Sequence, residues 1–151
     1  TASLYFDDVT PGDVFTFGPY SIVRDEMLAF NRQWDPLPMH LDTAEAQARG
    51  YRDVTASGQY TLCVKQALLN KAPWHEAVIG ALAHDEMKFP RPVYPGDTLS
   101  LTIECLTKRV SRSKPNRGIL KFAFRLVNQN NDIVLSYVHT SMFSRRQASA
   151  H

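Results

Sequence analysis

A carboxylate and an imidazole, Asp35 and His40, lie five positions apart in segment 34–42, which reads WDPLPMHLD. Pro36 and Pro38 stand between them; each proline has a fixed φ and lacks an N–H, so a helix cannot continue through the segment. A histidine beside a carboxylate can give and take protons near neutral pH. The spacing therefore predicts an acid–base pair on a stiff turn. The spacing also fits a structural role, in which Asp35 caps the loop and His40 binds a backbone carbonyl.

The composition is that of an ordinary globular domain spanning residues 1–151, with a formal net charge of +2. So small a charge does not indicate nucleic-acid binding. No segment approaches the roughly 20 apolar residues of a membrane helix, and the first residues show no secretion signal, so we expect a cytoplasmic protein without membrane contact. Cys63 and Cys105 fall at apolar positions and are expected to be buried, reduced thiols. The sequence has no CxxC motif or Cys/His cluster, and we expect no metal.

Three helices are predicted around the Asp-His turn. Apolar residues at i, i+3 and i+7 predict a helix over 24–34, with Met27, Phe30 and Trp34 on one stripe. After the turn, Asp42 and Glu45 resemble a capping box for a short helix over 43–49. The longest helix is predicted over 57–72, between a Ser57 N-cap and Pro73.

This longest helix and the residues on either side of it contain no acidic side chain. No Asp or Glu occurs from residue 54 to residue 75, and one face carries Tyr60, Val64, Ala67 and Leu68. A helix without charged acids is typical of one that is covered by other elements. We therefore expect it to be enclosed by a sheet.

Strand patterns occupy both ends of the chain. Short runs at 14–17 and 20–23 are separated by Gly18-Pro19, and longer runs cover 79–89, 99–105, 120–126 and 133–143. A basic loop is predicted over 108–118, a turn over 128–132 and a frayed tail over 145–151. Tight turns join antiparallel strands, so the sequence predicts an α+β fold with an antiparallel sheet curved around one helix.

Several motifs resemble the MaoC-like, R-specific enoyl-CoA hydratases. Residues 35–42, DPLPMHLD, resemble the family motif Asp-x-Asn-Pro-x-His, with the same step from Asp to His. Further similarity lies in ASG at 56–58, FPRPVYPGD at 89–97, Gly12-Asp13, and SKPNRG at 113–118. Together these motifs cover nearly the whole chain in the family's order.

The resemblance implies a hot-dog fold, a homodimer or higher homo-oligomer, and reversible hydration of a trans-2-enoyl thioester to an (R)-3-hydroxyacyl thioester. The carrier would be CoA or acyl-carrier protein, and CoA would be part of the substrate rather than a cofactor. Asp35 and His40 would be the catalytic pair. Such a reaction also needs preorganised donors for the thioester oxygen, and the start of the longest helix, at Ser57 and Gly58, offers free N–H groups.

The remaining site predictions concern substrate contacts. Leu37 stands where the family has Asn, so it is expected to contact the substrate without a hydrogen bond. Basic side chains that could hold CoA phosphates, together with a neighbouring serine, are Arg91, Arg112, Ser113, Lys114 and Arg117. The same residues could instead form an ordinary solvated hairpin. His84 and its acidic neighbours form the other possible proton-transfer cluster.

Two alternative functions share this fold. A thioesterase would be expected to carry an acid on or beside the central helix, and the predicted helix has none. A catalytically weak acyl-CoA-binding domain is favoured by Leu37 in place of Asn.

Overall fold

Five antiparallel strands form one sheet in the computed structural model of the protein, which describes residues 2–147. In sheet order they are β1 (Val14–Ser21), β3 (Thr98–Val110), β4 (Arg117–Val127), β5 (Ile133–Ser144) and β2 (Val78–Lys88). Apolar side chains alternate along β3 and β4 and face the core. The alternation predicted for these two strands is confirmed.

The helices lie between β1 and β2 in the chain. They are α1 (Arg24–Trp34), α2 (Thr43–Ala48) and α3 (Gly58–Leu69), with a 3-10 turn at Pro38–His40 between α1 and α2. A second 3-10 turn, Phe6–Asp8, precedes β1. Tyr60, Val64 and Leu68 of α3 are buried in the core that the sheet encloses. The expected α+β architecture, a curved antiparallel sheet around a central helix, is confirmed.

The helix predictions need four corrections. Helix α3 ends at Leu69 rather than 72, because the N–H groups of Lys71 and Ala72 bind carbonyls three residues back and form a turn before Pro73. Cys63 lies on the exposed side of α3, so only Cys105 is a buried thiol. Trp34 is 65% exposed, because it extends beyond the last turn of α1 that packs on the core.

The fourth correction concerns α2. This helix ends at Ala48, and Asp42 caps it by accepting a hydrogen bond from Ala44 N. The predicted capping box is incomplete, because the Glu45 carboxylate binds Arg49 instead.

The strand boundaries also differ from the predictions. Strand β1 runs through Gly18-Pro19, since an irregularity in its pairing between Phe17 and Tyr20 accommodates the two residues. The predicted basic loop is shorter, covering only 111–116, because β3 continues to Val110 and β4 begins at Arg117.

Ion pairs and hydrogen bonds hold the two chain ends against the sheet. Lys108 Nζ donates to the carbonyls of Phe6 and Val9 at 3.1 and 2.7 Å, so this lysine is structural. Arg145 binds Asp7, at 3.0 Å, and Arg146 binds Asp8. The first residues of the predicted frayed tail are therefore ordered against the N-terminal segment, whereas residues 148–151 lie outside the described chain. Within residues 2–147, no helix has the length and apolarity needed to cross a membrane.

Candidate functional site

The structure brings Asp35 and His40 together. Asp35 directly follows the last residue of α1, and His40 is the last residue of the following 3-10 turn. Leu37 ties the turn through its backbone, because its N–H donates to the Asp35 carbonyl at 2.8 Å and its carbonyl accepts from His40 N at 2.9 Å. His40 Nε2 consequently lies 3.5 Å from Asp35 Oδ2.

The hydrogen bonds of His40 define which ring nitrogen carries the proton. Its Nδ1 lies 2.8 Å from the carbonyl oxygen of Thr55, and a carbonyl can only accept, so Nδ1 must donate. In the neutral ring Nε2 is then an acceptor that faces a second acceptor, the Asp35 carboxylate. Two acceptors at this separation can both receive hydrogens from one water molecule, which is the arrangement needed to activate it.

Ser57 positions the carboxylate of this pair. Its Oγ donates to Asp35 Oδ2 at 2.7 Å and accepts from Gln59 N at 3.2 Å, so it caps α3 and orients Asp35 at once. The side chain is fully buried. Ser57 therefore acts through Asp35, and the direct substrate contact predicted for it does not match its place in the structure.

Asn31 is a site residue that the sequence analysis missed. Its Nδ2 donates to the carbonyls of His40 and Thr55 at 2.9 and 3.2 Å, and its Oδ1 accepts from Ser57 N at 3.2 Å. Asn31 is fully buried. The sequence did contain an indication, because Asn31 lies four residues after Met27 on the buried side of α1.

The side chain of Asp53 joins the segment that carries Thr55 to α1 and α2. Asp53 accepts hydrogen bonds from Arg24 of α1, from Thr43 of α2 and from Val54 N. The bond from Arg24 is the main reason that the pKa of Asp53 falls to about 2, followed by the bonds from Val54 and Thr43. The carboxylate thus stays charged at any physiological pH and keeps both helices joined to the Thr55 segment.

A cavity of about 420 Å³ opens beside His40 and the first turn of α3. Gly58 begins α3, so its N–H has no partner within the helix and lies at the positive end of the helix dipole. A Cβ at Gly58 would stand 3.1 Å from Phe89 Cε1. A side chain at this position would crowd Phe89, and a contact between the Gly58 N–H and a ligand carbonyl stays a prediction. Residues lining this cavity include Met39, His40, Thr55, Gly58, Phe89 and Arg91.

The predicted substrate contacts divide into two groups. Arg91 lines the cavity, is exposed, and stands 3.8 Å from Asp132 at the start of β5. Residues Arg112, Ser113, Lys114 and Arg117 lie at the opposite end of the sheet, because Arg117 pairs with Ser144 whereas the Arg91 end of the sheet is the turn before Ile133. Within one chain these four residues therefore lie far from Asp35 and His40.

Leu37 also stands apart from the cavity. Its side chain is 47% exposed and does not line the cavity beside His40. Its backbone closes the turn, and a substrate contact by its side chain stays a prediction. In the described residues no group of three or more His, Cys, Asp or Glu side chains could hold a metal ion.

Comparison with known proteins agrees with this architecture. Residues 8–123 match the model of the MaoC like domain. The YdeM protein of Bacillus subtilis (strain 168), itself described as uncharacterized, is 30% identical over 124 residues, covering 82% of this chain and 86% of YdeM. The chain belongs to the MaoC-like dehydratase family, and its curved sheet around one helix is the hot-dog fold.

Solved structures show the same fold. A MaoC-like dehydratase from Rhodospirillum rubrum superposes with a TM-score of 0.90 at 28% identity, covering 97% of this chain and all (100%) of that one. The unliganded R-hydratase PhaJ1 from Pseudomonas aeruginosa gives a TM-score of 0.72 at 22% identity, covering 99% and 94% of the two chains.

Proposed function

We propose that the protein reversibly hydrates a trans-2-enoyl-CoA to an (R)-3-hydroxyacyl-CoA. The observation that carries the proposal is the pair of acceptors, His40 Nε2 and Asp35 Oδ2, held 3.5 Å apart beside the cavity at the start of α3. Family membership supports a hydro-lyase, and PhaJ1, a structural neighbour, is an R-hydratase.

The geometry supports a simple sequence of bond changes. The thioester oxygen accepts a hydrogen bond from Gly58 N–H, which stabilises the negative charge that develops on it. A water held by Asp35 and His40 loses a proton to the pair as its oxygen bonds to Cβ. The pair then returns a proton to Cα, so that one water is added across the double bond. Dehydration is the same path in reverse.

Leu37, which stands where the family motif has Asn, favours a second candidate function, a catalytically weak acyl-CoA-binding domain. Asn31 argues for the enzyme, because its buried amide already joins the His40, Thr55 and Ser57 backbones and fixes the pair. The thioesterase alternative expects an acid on or beside α3. The helix itself has none, and the acid beside its start, Asp35, is paired with His40 as in the proposed hydratase.

We also infer a homodimer formed through β2. This strand is at the edge of the sheet and exposes Val78, Ile79 and Leu82, which are 42%, 43% and 52% accessible. An exposed apolar edge strand offers unpaired backbone groups to another chain. Antiparallel pairing of two β2 strands would cover both edges symmetrically.

Crotonyl-CoA distinguishes the three functions. A hydratase removes the enoyl absorbance without releasing thiol, a thioesterase releases thiol, and a binding domain does neither. We expect Asp35→Asn and His40→Ala each to lower turnover by about 10²–10⁴-fold with little change in CoA affinity. Asp25→Asn, on the exposed side of α1, is the control and should retain full turnover. Full turnover in either site variant would disprove the assignment.

A further inference from the structure

Lys65 is a buried residue of α3 that has no acidic partner within residues 2–147. Lys65 is 5% exposed, and its Nζ stands 5.5 Å from the centre of the Tyr137 ring and 6.0 Å from that of Phe124. Its only side-chain hydrogen-bond partner in the described chain is Gln66 Oε1, at 3.0 Å. Burial lowers the pKa of Lys65, as expected for an ammonium group that has lost water and gained no acid.

Two further polar groups near Lys65 lack hydrogen-bond partners in the described part of the chain. The hydroxyl of Tyr137 and the Nδ1 of His139 are buried and lack any hydrogen-bond partner within residues 2–147. His84 on β2 pairs with His139, and its ring is tilted against both neighbours, with its centre 5.0 Å from that of the His139 ring and 4.9 Å from that of the Tyr137 ring. Burial lowers the pKa of His139 to about 4, and the charges of His84 and Lys65 add to the effect. The lowered pKa leaves the His139 ring neutral near pH 7, so Lys65 is the source of positive charge in the cluster, and Tyr137 OH and His139 Nδ1 have vacant hydrogen-bonding positions.

A cavity of about 590 Å³ runs along the face of α3 that carries Leu62 and Lys65. At one end it is lined by Trp34, which precedes Asp35, and by Gln59, which follows Gly58; at the other end it reaches Lys65 and His84. Gly58, Leu62 and Lys65 follow the i, i+4, i+7 spacing of one helix face, and seven residues at 1.5 Å each span about 10 Å. An acyl chain whose thioester lies at Gly58 could therefore extend along Leu62 towards Lys65.

We propose that the Lys65 cluster binds a carboxylate at the far end of the acyl group, so that the preferred substrate is the CoA thioester of an unsaturated dicarboxylic acid. The proposal rests on the proposed function for the placement of the thioester. A carboxylate supplies what the cluster lacks, a negative charge and acceptor oxygens for Lys65 Nζ and Tyr137 OH. Charge-assisted hydrogen bonds in a site shielded from water are strong, whereas an unpaired buried charge is unfavourable. A methyl-ended chain would leave both groups unpaired.

Binding of saturated esters tests this inference separately from catalysis. Adipyl-CoA and hexanoyl-CoA have the same chain length and differ in the terminal carboxylate. We expect the wild-type protein to bind adipyl-CoA at least tenfold more tightly by calorimetry, and this preference to disappear in Lys65→Met. Tyr137→Phe should reduce the preference in part. Lys71→Met, which removes an exposed lysine just beyond α3, should leave it unchanged.

Turnover of the matching trans-2-enoyl esters then separates the two proposals. If wild-type protein prefers the carboxylate ester in binding but hydrates neither ester, the substrate class stands and the hydratase function fails. Equal affinity for the two saturated esters in wild-type protein overturns the carboxylate site. A preference that persists in Lys65→Met overturns it as well, because the cluster would then not be its source.

Discussion

At the residue scale, Asn31 joins three backbone segments of the site through one amide. Asn31→Ala would leave the Ser57 N–H and the carbonyls of His40 and Thr55 without these partners. A buried polar group left unpaired costs about 1–3 kcal/mol, so we expect a clear fall in melting temperature. Turnover should fall as well, because the His40 ring and Ser57 both lose a support.

The matched control for this prediction is Gln33→Ala, which removes an exposed amide from the same helix and should change neither quantity. If Asn31→Ala retains wild-type turnover and melting temperature, the amide does not hold the site.

Thr55→Val tests the assignment of the His40 tautomer. The substitution removes Thr55 Oγ1 but keeps the carbonyl that accepts from His40 Nδ1, so activity should largely survive.

The pair itself could be predicted from sequence, whereas its supports could not. Two prolines restrict the turn that brings Asp35 close to His40, whereas the catalytic role of the pair was predicted from the resemblance to the family motif and not from the spacing alone. Asn31 and Thr55 act through contacts that form only when α1 packs against the segment before α3. Sequence spacing contains no record of such packing, except that Asn31 is a polar residue on an otherwise buried side of its helix.

At the element scale, the first turn of α3 combines a backbone donor with a close packing contact. Gly58→Ala places a methyl group 3.1 Å from Phe89 Cε1, at the mouth of the cavity. Alanine is also a better helix former than glycine. We therefore expect a melting temperature that is unchanged or higher, together with a clear loss of kcat/KM for enoyl-CoA.

These opposite effects make the Gly58 prediction specific. A variant that loses stability and activity in parallel would indicate that the glycine serves packing alone. A variant with wild-type kcat/KM would show that the thioester does not approach this N–H.

Element types were predictable because their patterns are local, but several boundaries were not. The alternation along β3 and β4 predicts strands, yet the charged residues that continue both strands towards the hairpin resemble a loop. Cross-strand hydrogen bonds extend the ladder through them, from Lys108–Leu120 to Val110–Gly118. Such pairing depends on the neighbouring strand and not on the composition of either segment.

At the scale of the whole molecule, the basic hairpin and the candidate site lie at opposite ends of one sheet. The 11 residues of β4 span roughly 35 Å from Arg117 to Val127 at about 3.3 Å per residue.

A dimer paired through β2 would bring the hairpin of one chain close to the candidate site of the other chain. The Val78 end of β2 lies at the hairpin end of the sheet, since Ala77 O accepts from Ser144 N and Ser144 pairs with Arg117. Antiparallel pairing would set this end beside the Lys88 end of the other β2, which leads to Phe89 and the cavity.

The dimer therefore predicts that each site takes its CoA phosphate contacts from the other chain's hairpin. The triple variant Arg112→Ala, Lys114→Ala, Arg117→Ala should raise KM for CoA esters, most strongly at low salt, where charge attraction is least screened. It should still run at about twice the 17.1 kDa chain mass in light scattering. An unchanged KM at low and high salt would exclude phosphate binding by the hairpin.

A mixed dimer shows which chain supplies the hairpin. One chain carries Asp35→Asn with an intact hairpin, and the other carries the triple substitution with an intact Asp35. If the hairpin acts across the interface, one of the two sites is fully wild type, and the dimer should regain about half of wild-type turnover at low substrate concentration. The two chains would be co-expressed with different tags, purified through both, and compared with each parent dimer. If the hairpin served its own chain's site, every site would be defective, and activity no higher than the mean of the two parents would be found.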